Sequence, residues 1–280
     1  MIKKFSKVVT KCQISNSKKL ESLIFLGYLP PVNTLRKIGS AFEEEISFPA
    51  ELLYCKKSKL AQLGCIVDKE ILFPYSYPYT SSTTKILREN FADLYKETKK
   101  IIYLRSKDLV IDIGSNDGNL LSNFKDSHKV LGVTPEKIGK LAIKKGIPTI
   151  IDYFDNKTVK KILRKHGKAK IITATNVFAH IDNINQIVKN VLRTLDNDGI
   201  FITESHYLLP LIKTVQYDTI YHEHLRYYSV QSLNYLFKKH NLEIIHTKEI
   251  STHGGSIRVY AARKGKYKIS KSVKLQLKKE

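Results

Sequence analysis

Residues 216–229 read QYDTIYHEHLRYYS. Two histidines flank a carboxylate in His222-Glu223-His224, with Tyr217, Tyr221, Tyr227 and Tyr228 around them and Tyr207 just upstream. Three readings are open. Histidines two apart project to one side of a strand, so both could ligate a metal. A histidine is also suited to proton transfer near neutral pH, with a neighbouring acid to orient it. The third reading is a polar strand without chemistry. The helical zinc-protease pattern needs histidines four apart and is absent. The one carboxylate lies between the histidines, and no cysteine is nearby.

A second stretch with chemical potential is Asp112-Ile113-Gly114-Ser115-Asn116-Asp117-Gly118, which ends the apolar run LVIDIG and leads into the helix-like NLLSNF. Glycines there let the backbone turn sharply and approach a ligand. The spacing lacks the Gly-Lys-Ser/Thr ending of a phosphate loop, and with two glycines it is not G-x-G-x-x-G. After the first strand of a doubly wound sheet, such a turn places a ligand at the carboxyl edge of the strands.

The elements that must hold these stretches follow from the hydrophobic pattern. Residues 1–80 are short apolar pieces broken by LPPVN, FPAE and FPYSYPYT, which predicts a small loop-rich module. Residues 81–100 carry Ile86, Leu87, Phe91, Leu94 and Tyr95 at helical spacing behind a Ser/Thr cap. From LVIDIG onward strands alternate with helices: KVLGV, PTIID, AKIITAT and DGIFITES are strands, while PEKIGKLAIKKG and NINQIVKNVLRTLDNDG read as helices. That alternation predicts an α/β fold, a doubly wound parallel sheet with a small irregular N-terminal module. Beyond it lie a helix at 229–241 and the strands LEIIHT and SIRVYAAR, suited to an antiparallel pair at the sheet edge.

Composition narrows the partners. The 280 residues include 48 basic and 26 acidic side chains, a net charge of +22. The excess is spread along the chain with no recognition motif, which describes a solvated surface; no nucleic-acid partner is expected. Cys12, Cys55 and Cys65 make no disulfide framework, and no run approaches the ~18 apolar residues of a membrane span. With no signal-peptide pattern in MIKKFSKVVTKC, the expectation is a cytoplasmic protein with no membrane partner.

VIDIGSNDGNLL resembles the first motif of class I S-adenosylmethionine-dependent methyltransferases. The resemblance implies S-adenosylmethionine as cofactor, held by Asp112, Gly114, Ser115, Asn116 and Gly118. Asp152, Tyr153 and Phe154 would seat the adenine, and Asn176 would close the pocket. Where that family has an acidic residue for the ribose, LGVTPEK carries Thr134, with Glu136 the nearby substitute.

A narrower likeness runs from about residue 12 to about 263. LGYLPPVN, FPAELLYC, LAQLGCIVD, ILFPYSYPYTSS, IGSNDGNLL, TNVFAHIDN, YDTIYHEH and HGGSIRVY together resemble the C-methyltransferases that act on nucleotide-linked keto-sugars. This implies His224 as the base that generates an enolate, with Tyr221 and Glu223 beside it and His180 near the keto oxygen. It implies Tyr77, Tyr79, His222 and Arg258 as substrate contacts, and a nucleotide-linked sugar as the partner. It further implies a module at 1–80, a cofactor domain at 81–205, and at 206–280 the start of a C-terminal substrate domain that is cut short. The family's module holds zinc with two Cys-x-x-Cys pairs. Here they read Cys12…Ser15 and Cys55…Ser58, a set too weak for zinc, so no metal is expected. On this likeness the opening stretch is a base with its orienting acid.

Overall fold

Short apolar pieces separated by proline and glycine turns build hairpins, and the described residues up to 73 supply strands of two small antiparallel sheets. The structure is a computed structural model that describes residues 5–33, 37–41, 43–73 and 80–280. Tyr77 and Tyr79 lie outside the described residues. β1 (Ser6–Val8) pairs with β5 (Cys65–Val67), while β2 (Glu21–Leu29), β3 (Phe48–Cys55) and β4 (Leu60–Leu63) form a meander. A one-turn helix, α1 (Lys69–Leu72), follows.

The central layer begins with α2 (Lys85–Ile101) and β6 (Leu109–Ile113). It continues through β7 (Lys129–Thr134), α3 (Gly139–Lys144), β8 (Thr149–Ile151), α4 (Asn156–Lys165), β9 (Ala169–Thr175), α5 (Ile184–Thr194) and β10 (Leu195–His206). Then come α6 (Leu208–Lys213), β11 (Arg226–Tyr227), α7 (Val230–Lys239), β12 (Leu242–Ile250), β13 (Ser256–Arg263) and α8 (Lys271–Lys279). Seven strands form one sheet in the order β12-β13-β10-β9-β6-β7-β8. β6 to β10 run parallel, and β13 inserts antiparallel between β10 and β12.

The continuous apolar runs of these strands arise because both faces are covered. Ile111, Ile172, Phe201 and Val259 face a core closed by α4, α5 and α7, through Val159, Val188 and Phe237. Val110, Ile171, Ile202 and Tyr260 face the opposite core, with Phe91 and Leu94 of α2 and Ala142 of α3. The doubly wound parallel sheet expected from the pattern is what forms. NLLSNF is shorter than expected, a single 3-10 turn at Leu121–Asn123.

The expected boundary at 206 does not separate domains. β10 runs through His206 and pairs along its length with β13, so residues 242–263 complete the central sheet. β11 goes the other way, pairing with β4 of the N-terminal module. Antiparallel ladders need no sequence proximity, and the β11–β4 ladder interlocks module and core. No helix of the described residues is long and apolar enough to cross a membrane.

The module brings together Cys12, Ser15, Cys55 and Ser58. Cys12 Sγ lies 3.0 Å from Ser58 Oγ, Ser15 Oγ lies 3.5 Å from Cys55 Sγ, and the Ser15 N–H donates to Cys12 Sγ. Burial acts to raise the Cys55 thiol, but hydrogen bonds from Ser15 and Ser58 outweigh it and bring it down to about 7. Two thiols and two neutral hydroxyls that satisfy one another are a poor donor set for tetrahedral zinc. Cys65 does not complete the set; it lies on β5 in a separate apolar cluster with Phe48, Val67 and Leu72.

Arg258 was expected at the substrate and is not there. It is fully buried on β13, where its Nε donates to Glu204 Oε2 at 2.8 Å. Its other nitrogens reach Asp93 Oδ2 at 2.9 Å and Asn90 Oδ1 at 2.7 Å on α2. The guanidinium fastens α2 onto the sheet, since a buried cation demands a counter-ion.

Two outcomes test these assignments. Arg258→Met should cost about 3–5 kcal/mol in urea unfolding because Glu204 is left buried and unpaired; a cost under about 1 kcal/mol would refute the structural role. Protein purified without chelator should carry far less than one zinc per chain, with a thermal midpoint that chelator leaves unchanged. Stoichiometric zinc whose removal lowers the midpoint would overturn the hydrogen-bonded quartet.

Candidate active site

In an open parallel sheet, ligands bind where neighbouring strands send their crossovers in opposite directions, at the carboxyl ends. Here that point lies between β6 and β9. A cavity of about 1040 Å³ opens there, roofed by Lys7, Asn33, Asp68, Lys69 and Phe73 of the module. It has a cofactor-like end and a histidine-rich end.

At the first end, β6 delivers Asp112 and the loop Gly114–Gly118. Gly114 has φ 73°, and a Cβ there would sit 2.7 Å from Val177, so only glycine turns the chain at this point. The Gly114 and Ser115 amides donate to the Val133 carbonyl, and Ser81 caps the loop through Asn116 and Asp117. Asp112, Gly114, Ser115 and Asn116 line the cavity, and the buried Ser115 hydroxyl has no partner among the described residues. Gly118 does not line it; a Cβ there would meet Ile147 at 2.6 Å, so its role is packing against the α3 segment. Burial pushes the Asp112 carboxyl up to about 7, against a hydrogen bond from Thr173.

β7 ends in Thr134, which is fully buried and donates its hydroxyl to Glu136; Glu136 lines the cavity. β8 contributes Asp152, Tyr153 and Phe154 to the wall. Phe154 is buried in the core as well, whereas the exposed Tyr153 ring lies 3.5 Å beneath the Lys69 ammonium of the module. Asn176 follows β9 in a left-handed conformation (φ 55°), anchored to the Glu204 carbonyl.

At the second end, His180, His206, His224, His253 and Tyr221 converge. The His224 ring lies 5.1 Å from that of His180, 4.9 Å from His206 and 4.2 Å from Tyr221. His224 Nδ1 is 3.0 Å from the Thr219 carbonyl, which can only accept, so Nδ1 carries the proton and Nε2 the lone pair. The Tyr221 hydroxyl, 3.2 Å away, donates to that Nε2. Burial, reinforced by His180 and His206, holds His224 well below the usual histidine range. Burial, with His206 and Arg226 adding to it, brings His180 down to about 4. Burial and then the Glu223 charge push Tyr221 up to about 12. The pair is therefore a neutral imidazole beside a protonated phenol.

Two expectations change. Glu223 is buried and lines the cavity, but it accepts from Asn33 Nδ2 of the module; the group that orients His224 is the Thr219 carbonyl. His222 does not line the cavity: its Nε2 is bonded to the Pro49 carbonyl at 3.2 Å and its ring packs on Phe48. Because His222 and His224 face different partners, they form no metal clamp, and among the described residues no three His, Cys, Asp or Glu side chains are arranged to hold a metal ion. His206 and His253 were missed. The signal for His253 was HGGSIRVY, whose left-handed turn aims the His253 carbonyl at His206 Nε2, 2.7 Å away. His206 ends a buried strand and looked like sheet.

Residues 85–247 match the methyltransferase domain family, and residues 12–73 match a family described as a putative zinc binding domain. The C-methyltransferase NovU of Streptomyces niveus is 30% identical over 256 residues, covering 91% of this chain and 61% of NovU. The chain thus spans about three fifths of that relative's length. The magnesium protoporphyrin IX methyltransferase (ChlM) of Synechocystis PCC 6803 with bound SAH has a TM-score of 0.49 at 14% identity, over 63% of this chain and 83% of that one. An S-adenosylmethionine-dependent methyltransferase of Anabaena variabilis gives 0.49 at 15% identity, over 65% and 86%.

The residues present fit an adenosyl sulfonium: an unpartnered buried hydroxyl at Ser115, carboxyls at Asp112, Glu136 and Asp152 for its hydroxyls and positive charge, and the aromatic faces of Tyr153 and Phe154. With a family match across more than half of its length and a glycine loop at the switch point of the sheet, the chain belongs to the methyltransferase domain family, and its cofactor is S-adenosylmethionine.

Proposed function

We propose that the protein is a C-methyltransferase acting on a nucleotide-linked keto-sugar in the cytoplasm. The observation that carries this reading is the Tyr221–His224 pair with its single imidazole tautomer, placed in the same cavity as the glycine loop. Methylation at oxygen or nitrogen starts from an existing lone pair. Methylation at carbon first requires removal of a proton beside a carbonyl, and a fixed acceptor next to a fixed donor suits that step.

S-adenosylmethionine supplies an electrophilic methyl group. Gly114, Ser115 and Asn116 are the residues that would hold its amino-acid part, with Asp112 beneath. Glu136, two positions after the usual acidic site and oriented by Thr134, would take the ribose hydroxyls. Tyr153, Phe154 and Asp152 flank the adenine. At the other end His224 Nε2 accepts the proton from the carbon next to the keto group, and Nδ1–H on the Thr219 carbonyl keeps the ring aligned as it becomes charged. Tyr221, held protonated, turns its hydroxyl to the forming enolate oxygen, and His180 lies on the same side. Glu223 ties the module to this end through Asn33 and keeps Tyr221 from ionising. Tyr77 and Tyr79 belong to the substrate side in this reading.

Calorimetry with S-adenosylhomocysteine tests the cofactor end. Glu136→Gln should weaken binding about 10- to 100-fold, the worth of a charge-assisted hydrogen bond, with Thr134→Val showing a smaller loss in the same direction; unchanged affinity in Glu136→Gln would place the ribose elsewhere.

Solvent deuterium exchange tests the base. Given a nucleotide keto-sugar and the demethylated cofactor, the wild type should wash deuterium into the sugar carbon. His224→Asn should lose about 100- to 10,000-fold of that rate with cofactor affinity retained, while Tyr221→Phe keeps measurable exchange. Exchange at wild-type speed in His224→Asn would exclude His224, and its loss in Tyr221→Phe alone would make the phenol the base.

A further inference from the structure

Arg226 stands two residues beyond His224 on β11 and is 1% exposed. Its Nη2 donates to the Ile181 and Asp182 carbonyls at 2.6 Å each, and its Nη1 lies 3.5 Å from the Phe178 and Ala179 carbonyls. Its Nε is buried with no hydrogen-bond partner among the described residues. No carboxylate among the described residues pairs with it. Asp182, whose carbonyl it holds, has its own carboxylate on Lys7 at 2.8 Å. Carbonyl dipoles solvate a guanidinium but leave its full charge in place. The contrast with Arg258, paired to Glu204 and Asp93, is direct. Burying a cation without a counter-ion is costly and calls for a reason.

The segment it grips, 178–182, carries His180, and the cavity it lines holds His224. Resting on the proton-transfer reading above, we propose that Arg226 is a positioning residue. Its fork fixes the His180 loop, and its charge, paired with no carboxylate among the described residues, adds a positive contribution to the potential at the histidine end of the cavity. That potential disfavours imidazolium at His180 and His224, so the acceptor stays in its basic form, and it favours negative charge building on a keto oxygen as the proton leaves.

The other groups facing this pair are mostly neutral or paired. His206 of β10 and His253 of the 252–254 turn are held neutral, mainly by burial. Tyr221, Tyr227 and Tyr228 are held protonated, again mainly by burial. Asp182 is paired with Lys7 and Glu204 with Arg258, whereas Glu223, bonded to the neutral Asn33 amide, keeps the charge that acts on Tyr221, and Asp218 acts on His206; Arg226 works against these two carboxylates.

Histidine titration followed by isotope-edited NMR tests the proposal without any substrate. Removing the charge in Arg226→Met, or in Arg226→Gln, which keeps polar donors for the loop, should raise the midpoints of His180 and His224 by about one pH unit. Arg226→Lys keeps the charge and should hold both near wild type despite the lost fork. S-adenosylhomocysteine affinity within about twofold of wild type identifies the variants whose cofactor end is intact. The acid limb of kcat/KM for methyl transfer should then move up by the same amount in the neutral variants alone. Unshifted histidines in both neutral variants, or an equal shift in Arg226→Lys, would overturn the proposal. Absence of sugar methylation and exchange in the wild type would instead sink the sugar reading and leave the titration result standing.

Discussion

Parallel strands buried on both faces all present their carboxyl ends at one edge, and every crossover must leave from that edge or return to the other. In this chain the constraint decides the location of the chemistry. β6 and β9 are neighbours whose connections depart in opposite directions, so the sheet edge between them stays open. The glycine loop, the Thr134–Glu136 pair, the Asp152–Phe154 segment and the His180 loop are four of the five connections that leave this edge, the fifth starting at His206, and they share one cavity because the strands leave them no other place.

The second constraint is the interlock between module and core. β11 lies 160 residues beyond β4 in sequence yet adds to its sheet, which carries His224 and Arg226 under the module roof. Lys7 on Asp182, Asn33 on Glu223, Gln13 reaching the Leu225 carbonyl and Leu63 N–H donating to the same carbonyl stitch the two parts along this seam. The histidine end is thereby dry enough to keep its imidazoles neutral. The module's Leu52, Ala61 and Leu63 share an apolar cluster with Leu211, Ile220 and Tyr227 of the core, and the thiol–hydroxyl quartet holds the module itself.

Charge is distributed against the average. A chain with a net charge of +22 surrounds a cavity whose cofactor end carries Asp112, Glu136 and Asp152, while its fixed buried cation, Arg226, sits at the other end. A cationic sulfonium suits the first end and a developing oxyanion the second. The surface lysines are solvated and screened within about 10 Å at ordinary ionic strength, so the interior arrangement rather than the net charge sets the chemistry.

Much of this was legible in the chain itself. Strand runs such as LVIDI and AKIITAT, the glycine turn that follows the first, and the pairing of LEIIHT with SIRVYAAR are local or periodic signals, and such signals survive in one dimension. YHEH pointed to the imidazole proposed here as the base, because residue type alone limits which side chains exchange protons near neutral pH. Tertiary structure decided what depends on partners distant in sequence. It gave His224 a backbone carbonyl as its orienting group instead of the adjacent Glu223, and it turned His222 away onto Pro49. It moved Arg258 from a presumed substrate contact into an ion pair with Glu204, and it brought His206 and His253 to the cavity. A side chain's neighbours across a sheet are set by register and crossover, quantities that residue spacing along the chain does not encode.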